Sequence, residues 1–293
     1  MDLNHLRHKR IIVTGGSGFL GRALIEKLEL LDAQVFSFDI VANKKRSKQQ
    51  FMIDLTDIET LKAEINKIQP DFIFHLAAKL DRSRDFDLTN EISNINLGGT
   101  INLLNTLKNI DFTNFIFTST SEVYGLSNDR AYQETDEVIA ASPYSLSKLN
   151  AENAIKTFSK IHKKNYTILR LFNYYGEDMP SGFFISDLVG KLKNNEDFDM
   201  TLGEQKRDFL NIESVVEALI LSTLQKAQGN TYNVCSGEGF KIKDLAERFK
   251  IELNSTSSIK FGALPYRQNE IWEMIGDNVK IKNELGWTPK GLF

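Results

Sequence analysis

The feature that most constrains the fold is a glycine-rich turn between an apolar run and a helical pattern. The run TGGSGFLG places Gly15, Gly18 and Gly21 at three-residue intervals. Before it, Arg10–Thr14 is apolar like a buried strand, and after it Gly18–Leu31 has apolar residues at helical spacing. Such glycines permit a tight turn, close approach of backbone to a pyrophosphate, and close packing of helix on sheet. The start of the helix also attracts phosphate, so the turn predicts a dinucleotide site.

The first 172 residues repeat this alternation of apolar strands and amphipathic helices. Further strands are predicted at Gln34–Asp39, Gln50–Asp54, Asp71–His75, Asn114–Ser119 and Tyr166–Leu171. Further helices are predicted at Ile58–Ile68, Leu88–Ile110 and Pro143–His162. Strict alternation favours right-handed βαβ units and a parallel sheet covered on both faces. We therefore expect an α/β fold, a Rossmann-type doubly wound sheet.

Residues 173–293 lack this regular pattern. Aromatic and glycine-rich loops separate isolated helices, predicted at Ser181–Lys193, Glu213–Gln225, Lys241–Phe249 and Asn278–Leu285. We interpret this part as a smaller C-terminal lobe that forms a substrate pocket, with some segments returning to the dinucleotide-binding domain of residues 1–172.

Charge and cysteine content exclude several classes of partner. The 36 basic and 39 acidic residues leave a net charge of -3, which gives no reason to expect a nucleic-acid partner. The single cysteine, Cys235, excludes an intramolecular disulfide and fits a reducing compartment; in the run TYNVCSG it reads as a core residue rather than a nucleophile. No signal peptide and no apolar run of about 18 residues are evident. We expect a cytoplasmic protein without a membrane or metal partner.

Two acidic residues after predicted strands suit the adenosine half of a dinucleotide. Asp39 ends the second strand, 18 residues after Gly21, where a carboxylate binds ribose hydroxyls and repels a 2′-phosphate. This favours NAD(H), although the basic run Lys44–Arg46 would offset the repulsion and keeps NADP(H) open. Asp54, after the third strand, is a candidate for contact with the adenine amino group.

A tyrosine and a lysine form a candidate proton-transfer pair. Tyr144 and Lys148 stand four residues apart in a predicted helix and therefore share one face. A lysine cation beside a phenol is expected to lower the pKa of the phenol, which then exchanges a proton with a substrate hydroxyl or carbonyl. The hydroxyl residues Thr118–Ser121 follow a predicted strand, at the edge where parallel sheets bind ligands.

These motifs, in this order and spacing, resemble the extended short-chain dehydrogenase/reductase family of nucleotide-sugar epimerases, dehydratases and reductases. Beyond TGGSGFLG, the resemblance rests on HLAA at 75–78, FTSTSEVYG at 117–125, SPYSLSK at 142–148, LRLFNYYG at 169–176, KRDFLNIESVVEAL at 206–219, YNVCSG at 232–237 and GDNVKIKNELGWTP at 276–289. The matches cover nearly the whole chain.

The resemblance implies a nucleotide-sugar substrate, a homodimer and a set of site residues. The implied catalytic residues are Thr120, Tyr144 and Lys148. The implied cofactor-binding residues are Gly15, Gly18, Phe19, Leu20, Gly21, Asp39, Asp54, Leu55, Leu76, Ala77, Ala78, Asn96, Tyr144 and Lys148. The implied substrate-binding residues are Thr120, Ser121, Glu122, Asn173, Arg207 and Arg267. The two arginines suit a diphosphate, and the alternative for each is a surface salt bridge.

The reaction within the family is narrowed by residues near the tyrosine. Family 4,6-dehydratases carry Asp-Glu after the catalytic threonine, whereas this chain has Ser121 and Glu122, which argues against dehydration. The short chain and the run SGFFISDL at 181–188 favour a 4-keto-6-deoxy nucleotide-sugar reductase, with an NAD-dependent 4-epimerase as the alternative. A non-catalytic NAD-sensing protein is a third reading, disfavoured because both Tyr144 and Lys148 are present.

Overall fold

The computed structural model describes residues 3–42, 49–81, 84–125, 130–267 and 270–291. The strands are β1 (Arg10–Thr14), β2 (Gln34–Asp39), β3 (Gln50–Met52), β4 (Phe72–His75), β5 (Asn114–Thr120), β6 (Tyr166–Leu171), β7 (Asn173–Tyr175), β8 (Phe198–Met200), β9 (Lys206–Arg207), β10 (Phe209–Asn211), β11 (Asn230–Val234), β12 (Phe240–Lys241), β13 (Ile259–Phe261) and β14 (Glu273–Met274). The α-helices are α1 (Phe19–Leu30), α2 (Ile58–Ile68), α3 (Thr89–Ser93), α4 (Gly99–Leu107), α5 (Pro143–His162), α6 (Phe184–Lys193), α7 (Ile212–Leu221), α8 (Ile242–Glu252) and α9 (Val279–Leu285).

A seven-stranded parallel sheet organises the fold, in the order β11-β6-β5-β4-β1-β2-β3. Strand β1 pairs with β2 on one side and with β4 on the other, so that Thr14 faces Phe38 and His75. The chain reverses its direction of winding at this point, and ligands of such sheets bind beyond the carboxyl ends of the strands there. The Rossmann-type architecture expected from the sequence is confirmed.

Both faces of the sheet are buried because successive strand residues alternate between two cores. In β1, Ile11 and Val13 belong to the core under α1 and α7, and Ile12 belongs to the core under α2, α4 and α5. Trp287, after α9, is fully buried in the first of these cores and donates its indole N–H to the Ser214 carbonyl at 2.9 Å. The apolar strands are therefore explained by two-sided burial.

The C-terminal part contributes both to the central sheet and to a separate small core. Strand β11 extends the sheet by pairing with β6. Helices α6 and α8 pack with β8 and β10 around a third apolar cluster that includes Leu188, Met200, Phe209 and Leu245. Cys235 follows β11 and is fully buried, as expected for a core cysteine; burial raises the pKa of its thiol.

Several predicted boundaries were wrong. The helix predicted over Leu88–Ile110 is α3 and α4 joined by a π-turn at Asn94–Gly98, which inserts one residue into the helical ladder. Helix α6 begins at Phe184 rather than Ser181, since Gly182 has a φ of +90° and cannot start a helix. Strand β3 ends at Met52, before the turn in which Asp54 accepts the Thr56 N–H.

Smaller differences occur at other ends. Helix α7 stops at Leu221 and α8 continues to Glu252. Across the described ranges, the helices are all too short or too polar to cross a bilayer.

Candidate active site

One cavity of about 850 Å³ lies beyond the carboxyl ends of β1, β4, β5 and β6. Its wall combines residues predicted for three different roles. The predicted residues that line it are Gly15, Gly18, Phe19, Leu20, Gly21, Leu76, Ala78, Thr120, Ser121, Glu122, Tyr144, Lys148, Asn173, Arg207 and Arg267. The fold thus brings the glycine turn, the Tyr-Lys pair and both arginines to one space.

The glycine turn has the shape of a phosphate cradle. Gly15 has a φ of +70°, and a Cβ there would lie 2.8 Å from the Ala77 nitrogen. A Cβ on Gly21 would lie 2.2 Å from the Gly15 oxygen, so both glycines are required by the turn itself. Gly18 precedes α1, and no side chain caps this helix. Because Gly18 and Phe19 line the cavity, the uncapped start of α1 faces it. This arrangement fits the diphosphate of a dinucleotide.

Gly18 allows the cradle to be tested apart from the fold. A Cβ there would lie 3.1 Å from the Gly15 oxygen, and its φ of -67° suits any residue. We expect Gly18→Val to fold but to bind no NADH, because its methyl groups would occupy the space of the diphosphate. Calorimetric titration with NADH measures this, with Gly190→Ala as control, since Gly190 has open space around it. Unchanged affinity in Gly18→Val would contradict the cradle.

Asp39 lies beside this turn, and Asp54 does not line the cavity. Asp39 accepts the Ser17 N–H at 2.9 Å through one carboxylate oxygen and the Val41 N–H at 3.2 Å through the other. Asp54 is exposed and accepts the Thr56 hydroxyl at 2.7 Å. The basic residues Lys44, Lys45 and Arg46 lie outside the described residues.

Asn96 fixes the wall of the cavity rather than facing into it. Its side chain accepts the Lys79 N–H at 2.7 Å and donates to the Lys79 carbonyl at 3.1 Å and the Ser147 hydroxyl at 2.9 Å. These bonds hold the segment after β4 against α5. Leu55 and Ala77, like Asn96, Asp39 and Asp54, are not among the residues that line the cavity. Their cofactor roles stay predictions.

Helix α5 presents the Tyr-Lys pair because its first turn is capped. Ser142 accepts the Ser145 N–H at 3.1 Å and the Ser145 hydroxyl accepts the Ser142 N–H at 3.0 Å, a reciprocal cap before Pro143. Lys148 is only 2% exposed, and its Nζ lies 4.2 Å from the centre of the Phe117 ring. Burial lowers the pKa of Lys148 to about 7, against the opposing effect of the Glu152 charge.

The electrostatics of Tyr144 differ from the prediction. We expected Lys148 to lower its pKa, whereas burial raises the pKa of Tyr144, and the charge of Glu122 and the neighbouring Tyr174 raise it further. Desolvation of the phenolate is the largest of these contributions. Tyr144 is therefore a protonated phenol in this structure, the form that donates a proton.

Thr120 and Glu122 complete the wall opposite α5. Thr120 ends β5, is 8% exposed, and accepts the Glu122 N–H at 3.2 Å, which leaves its hydroxyl hydrogen available to donate. Glu122 accepts the Ser142 hydroxyl at 3.3 Å and so faces the start of α5. Ser121, in the position where dehydratases carry the acid, is 5% exposed.

Arg207 and Arg267 occupy different environments in the cavity wall. Arg207 forms an ion pair with Glu270 at 2.6 Å, and the two side chains are 18% and 11% exposed. Arg207 therefore does form a salt bridge, as the alternative to diphosphate binding predicted. However, both partners line the cavity and do not lie on the outer surface. Arg267 is exposed at the cavity mouth. Asn173 donates its side-chain N–H to the Asp208 carbonyl at 3.1 Å, which fixes β7 beside Arg207.

Tyr174 and Arg84 are two polar residues of the cavity wall that the sequence reasoning did not identify. Tyr174 lines it, stacks on Phe19 with ring centres 6.1 Å apart, and acts electrostatically on Tyr144. Arg84 also lines it, and its charge acts on Arg207. Their positions in the chain, directly after Asn173 and in the segment after HLAA, were the available signals.

Comparison with known proteins places these features in a family. The GDP-mannose 4,6 dehydratase family matches residues 12–293. A putative UDP-glucose 4-epimerase of Methanocaldococcus jannaschii is 29% identical over 290 residues, 96% of this chain and 93% of that protein. The GDP-6-deoxy-D-talose 4-dehydrogenase of Aggregatibacter actinomycetemcomitans is 26% identical, with 94% and 91% of the chains covered.

A solved structure adds bound ligands to this comparison. The structure of MoeE5 in complex with UDP-glucose and NAD superposes with a TM-score of 0.87 at 25% identity, covering 96% of this chain and 94% of that one. Its two ligands are a dinucleotide and a nucleotide-linked sugar, which are the two classes of ligand predicted from the sequence of this chain.

Proposed function

We propose that this chain, which belongs to the GDP-mannose 4,6 dehydratase family and thus to the extended short-chain dehydrogenases/reductases, transfers a hydride between a nicotinamide cofactor and C4 of a nucleotide-linked sugar. The observation that carries the proposal is the shared cavity. It joins the glycine turn to Tyr144 and Lys148 on one side and to Arg207 on the other. A cofactor and a diphosphate-linked sugar would meet at the Tyr-Lys pair.

The residues present fit NAD(H). The uncapped start of α1 suits the diphosphate, and the fixed carboxylate of Asp39 suits a ribose with a free 2′-hydroxyl. When bound, NAD(H) supplies or accepts the hydride. The family relationship and the NAD found in MoeE5 support the same cofactor.

Three side chains serve the sugar oxygen at C4. During reduction, negative charge grows on this oxygen, which requires a proton donor and a further hydrogen bond. Tyr144, a protonated phenol, gives the proton, and the Thr120 hydroxyl donates the second bond. Lys148 would hold the ribose hydroxyls of a bound cofactor and, as a cation, would stabilise the phenolate that remains.

We propose reduction of a 4-keto-6-deoxy nucleotide sugar as the net reaction. The segment SGFFISDL, which favoured this activity in the sequence, forms the start of α6, and Gly182, Phe183, Phe184 and Ile185 line the cavity. The similarity to a GDP-6-deoxy-D-talose 4-dehydrogenase supports chemistry at the same carbon. Ser121 in place of an acid disfavours dehydration.

The second candidate is 4-epimerisation, in which the hydride returns to the other face of the sugar. The similarity to the putative UDP-glucose 4-epimerase of Methanocaldococcus jannaschii, the highest identity among the three proteins compared, favours it. The same three residues serve both reactions, so the net reaction depends on whether oxidised cofactor is released.

An assay separates the two candidates. The purified protein is incubated with NADH and a panel of 4-keto-6-deoxy sugars linked to GDP, dTDP, UDP and CDP, and the absorbance of NADH is followed. A second panel contains UDP-glucose and UDP-galactose. A reductase consumes one NADH for each sugar reduced. An epimerase interconverts UDP-glucose and UDP-galactose without net NADH loss. Inactivity with both panels would contradict the proposed function.

Arg207 is expected to bind the substrate diphosphate. Because both ground and transition states contain this group, Arg207→Ala should raise KM by about 10- to 100-fold with little change in kcat, the effect of a lost hydrogen bond to a charged group. Steady-state kinetics measure this, with Arg248→Ala on the exposed face of α8 as control. An unchanged KM would show that Arg207 serves only its ion pair with Glu270.

The cytoplasmic location and the assembly of the chain into a homodimer stay predictions from the sequence. The division of the chain into a dinucleotide-binding domain of residues 1–172 and a substrate-binding lobe of residues 173–293 stays a prediction as well.

A further inference from the structure

A buried carboxylate lies directly behind Lys148. Glu152, one turn later on α5, is fully buried and does not line the cavity. One of its oxygens accepts the Ser119 hydroxyl at 2.6 Å and the Arg170 Nε–H at 3.1 Å, and the other accepts the Arg170 Nη2–H at 2.9 Å. This is a bidentate, charge-assisted arrangement. The position of the carboxylate is therefore fixed.

The same carboxylate joins the elements that carry the proposed catalytic residues. Ser119 lies on β5 immediately before Thr120, Arg170 lies on β6, and Glu152 lies on the helix of Tyr144 and Lys148. A shift of α5 along the sheet would break all three bonds to Glu152. The bonds consequently set the register of the helix against the strand that ends in Thr120.

The negative charge of Glu152 also acts on Lys148. Burial lowers the pKa of Lys148, and the charge of Glu152 opposes this. The other titratable groups facing Lys148 are Tyr144, one turn earlier, and His75 on β4, whose pKa burial lowers to about 3. His75 lies between the Thr14 and Thr100 hydroxyls at 2.7 and 2.8 Å and is neutral.

The ionised state of Glu152 is secured by its own neighbours. Burial alone would raise its pKa, but the bonds and charge of Arg170 and the Ser119 hydroxyl hold the pKa of Glu152 below its usual value. Lys156, 3.4 Å away, adds to this, and the remaining titratable neighbour is Tyr166 on β6. Glu152 is thus an anion throughout the pH range in which Lys148 titrates.

We propose that Glu152, fixed by Ser119 and Arg170, is the positioning residue that keeps Lys148 cationic and aligned with Tyr144 and Thr120. The proposal rests on the proposed function only for the role of Lys148. A buried ion pair is not needed for stability as such, since apolar replacements of both partners are often equally stable. Its place one turn after Lys148, a buried lysine of the cavity wall, gives it a function.

The test measures the titration of Lys148 directly, without substrate or turnover. Lysine Cε carbons are labelled with 13C, and the Lys148 signal is assigned by its absence in Lys148→Met. In Glu152→Gln the midpoint is expected to fall by about one pH unit or more. The alkaline decline of kcat/KM should move to lower pH by the same amount, which a purely structural role would not produce. Glu247→Gln, on the exposed face of α8, is the matched control.

A second variant covers the case in which Glu152→Gln does not fold, because it leaves Arg170 unpaired. Glu152→Gln/Arg170→Met removes both buried charges, and the Lys148 midpoint is expected to fall here too. A folded variant in which Lys148 titrates as in the unmodified protein would overturn the proposal. That outcome, combined with loss of NADH binding in Lys148→Met, would leave the proposed function standing.

Discussion

Tyr144→Phe is expected to lower kcat by about 10²–10⁴-fold while NADH binds as before, because proton transfer by a positioned side chain contributes this factor. The structure makes this a clean substitution. Among the described residues the Tyr144 hydroxyl has no hydrogen-bond partner, so its removal leaves no other polar group unpaired. The loss would therefore report the missing proton and not a rearranged site.

The measurement is steady-state turnover with the best substrate of the panel, beside the NADH dissociation constant of each variant. Tyr166→Phe is the control, since Tyr166 is a half-buried phenol on β6 outside the cavity lining. It should keep normal turnover. Near-normal turnover of Tyr144→Phe would remove this residue from the role of acid, whatever the activity of the protein.

Lys148→Met is expected to lose both rate and cofactor affinity. The lysine is assigned two tasks, stabilising the phenolate and binding the ribose hydroxyls, so kcat should fall by at least about 100-fold. The NADH dissociation constant should rise by about 10- to 100-fold, the usual effect of a lost charged hydrogen bond. Lys160→Met, at an exposed position later on α5, is the control and should change neither quantity.

Lys148→Met is also expected to be no less stable than the unmodified protein. A loss of activity in this variant would then not result from unfolding. Burial lowers the pKa of Lys148 to about 7, so the folded protein binds this proton more weakly than the unfolded chain. The unfavourable contribution is fully present below pH 7 and disappears as the pH rises toward the ordinary lysine value. Thermal unfolding at pH 6 should therefore give Lys148→Met a Tm equal to or above that of the unmodified protein. A markedly lower Tm would indicate that Lys148 stabilises the fold.

Some elements were predicted to the residue because their ends carry local signals. Helix α2 starts after Asp57, whose side chain accepts the Thr60 N–H, and Pro70 follows its end. Helix α5 starts after Ser142 with a proline in its first turn. The glycine turn was equally local, because Gly15 and Gly21 are required by contacts within the strand–turn–helix unit and the segment beside it.

Features that depend on distant residues were not accessible in this way. The π-turn in the predicted helix Leu88–Ile110 lies where Asn96 bonds to Lys79 and to Ser147, 17 and 51 residues away. The ion pair of Arg207 with Glu270 spans 63 residues. Neither separation leaves a periodic signal in the sequence.

The pKa of Tyr144 was predicted in the wrong direction for the same reason. The sequence showed the favourable neighbour, Lys148, four residues away. It did not show the burial of both groups or the approach of Glu122 and Tyr174, which the fold brings to the phenol. Desolvation is a property of the assembled site, and the spacing of two residues in the sequence does not reveal it.

The central claim is transfer of a hydride between the cofactor and C4 of a nucleotide-linked sugar. The most direct measurement uses NADH with deuterium in the transferred position of the nicotinamide, incubated with the 4-keto-6-deoxy nucleotide sugars. Carbon-bound deuterium in the product is then located by NMR. We predict deuterium at C4 of the sugar, with one NADH oxidised per product, and none in Tyr144→Phe on the same timescale. Deuterium at another carbon, or NADH oxidation without deuterium in the sugar, would contradict the account.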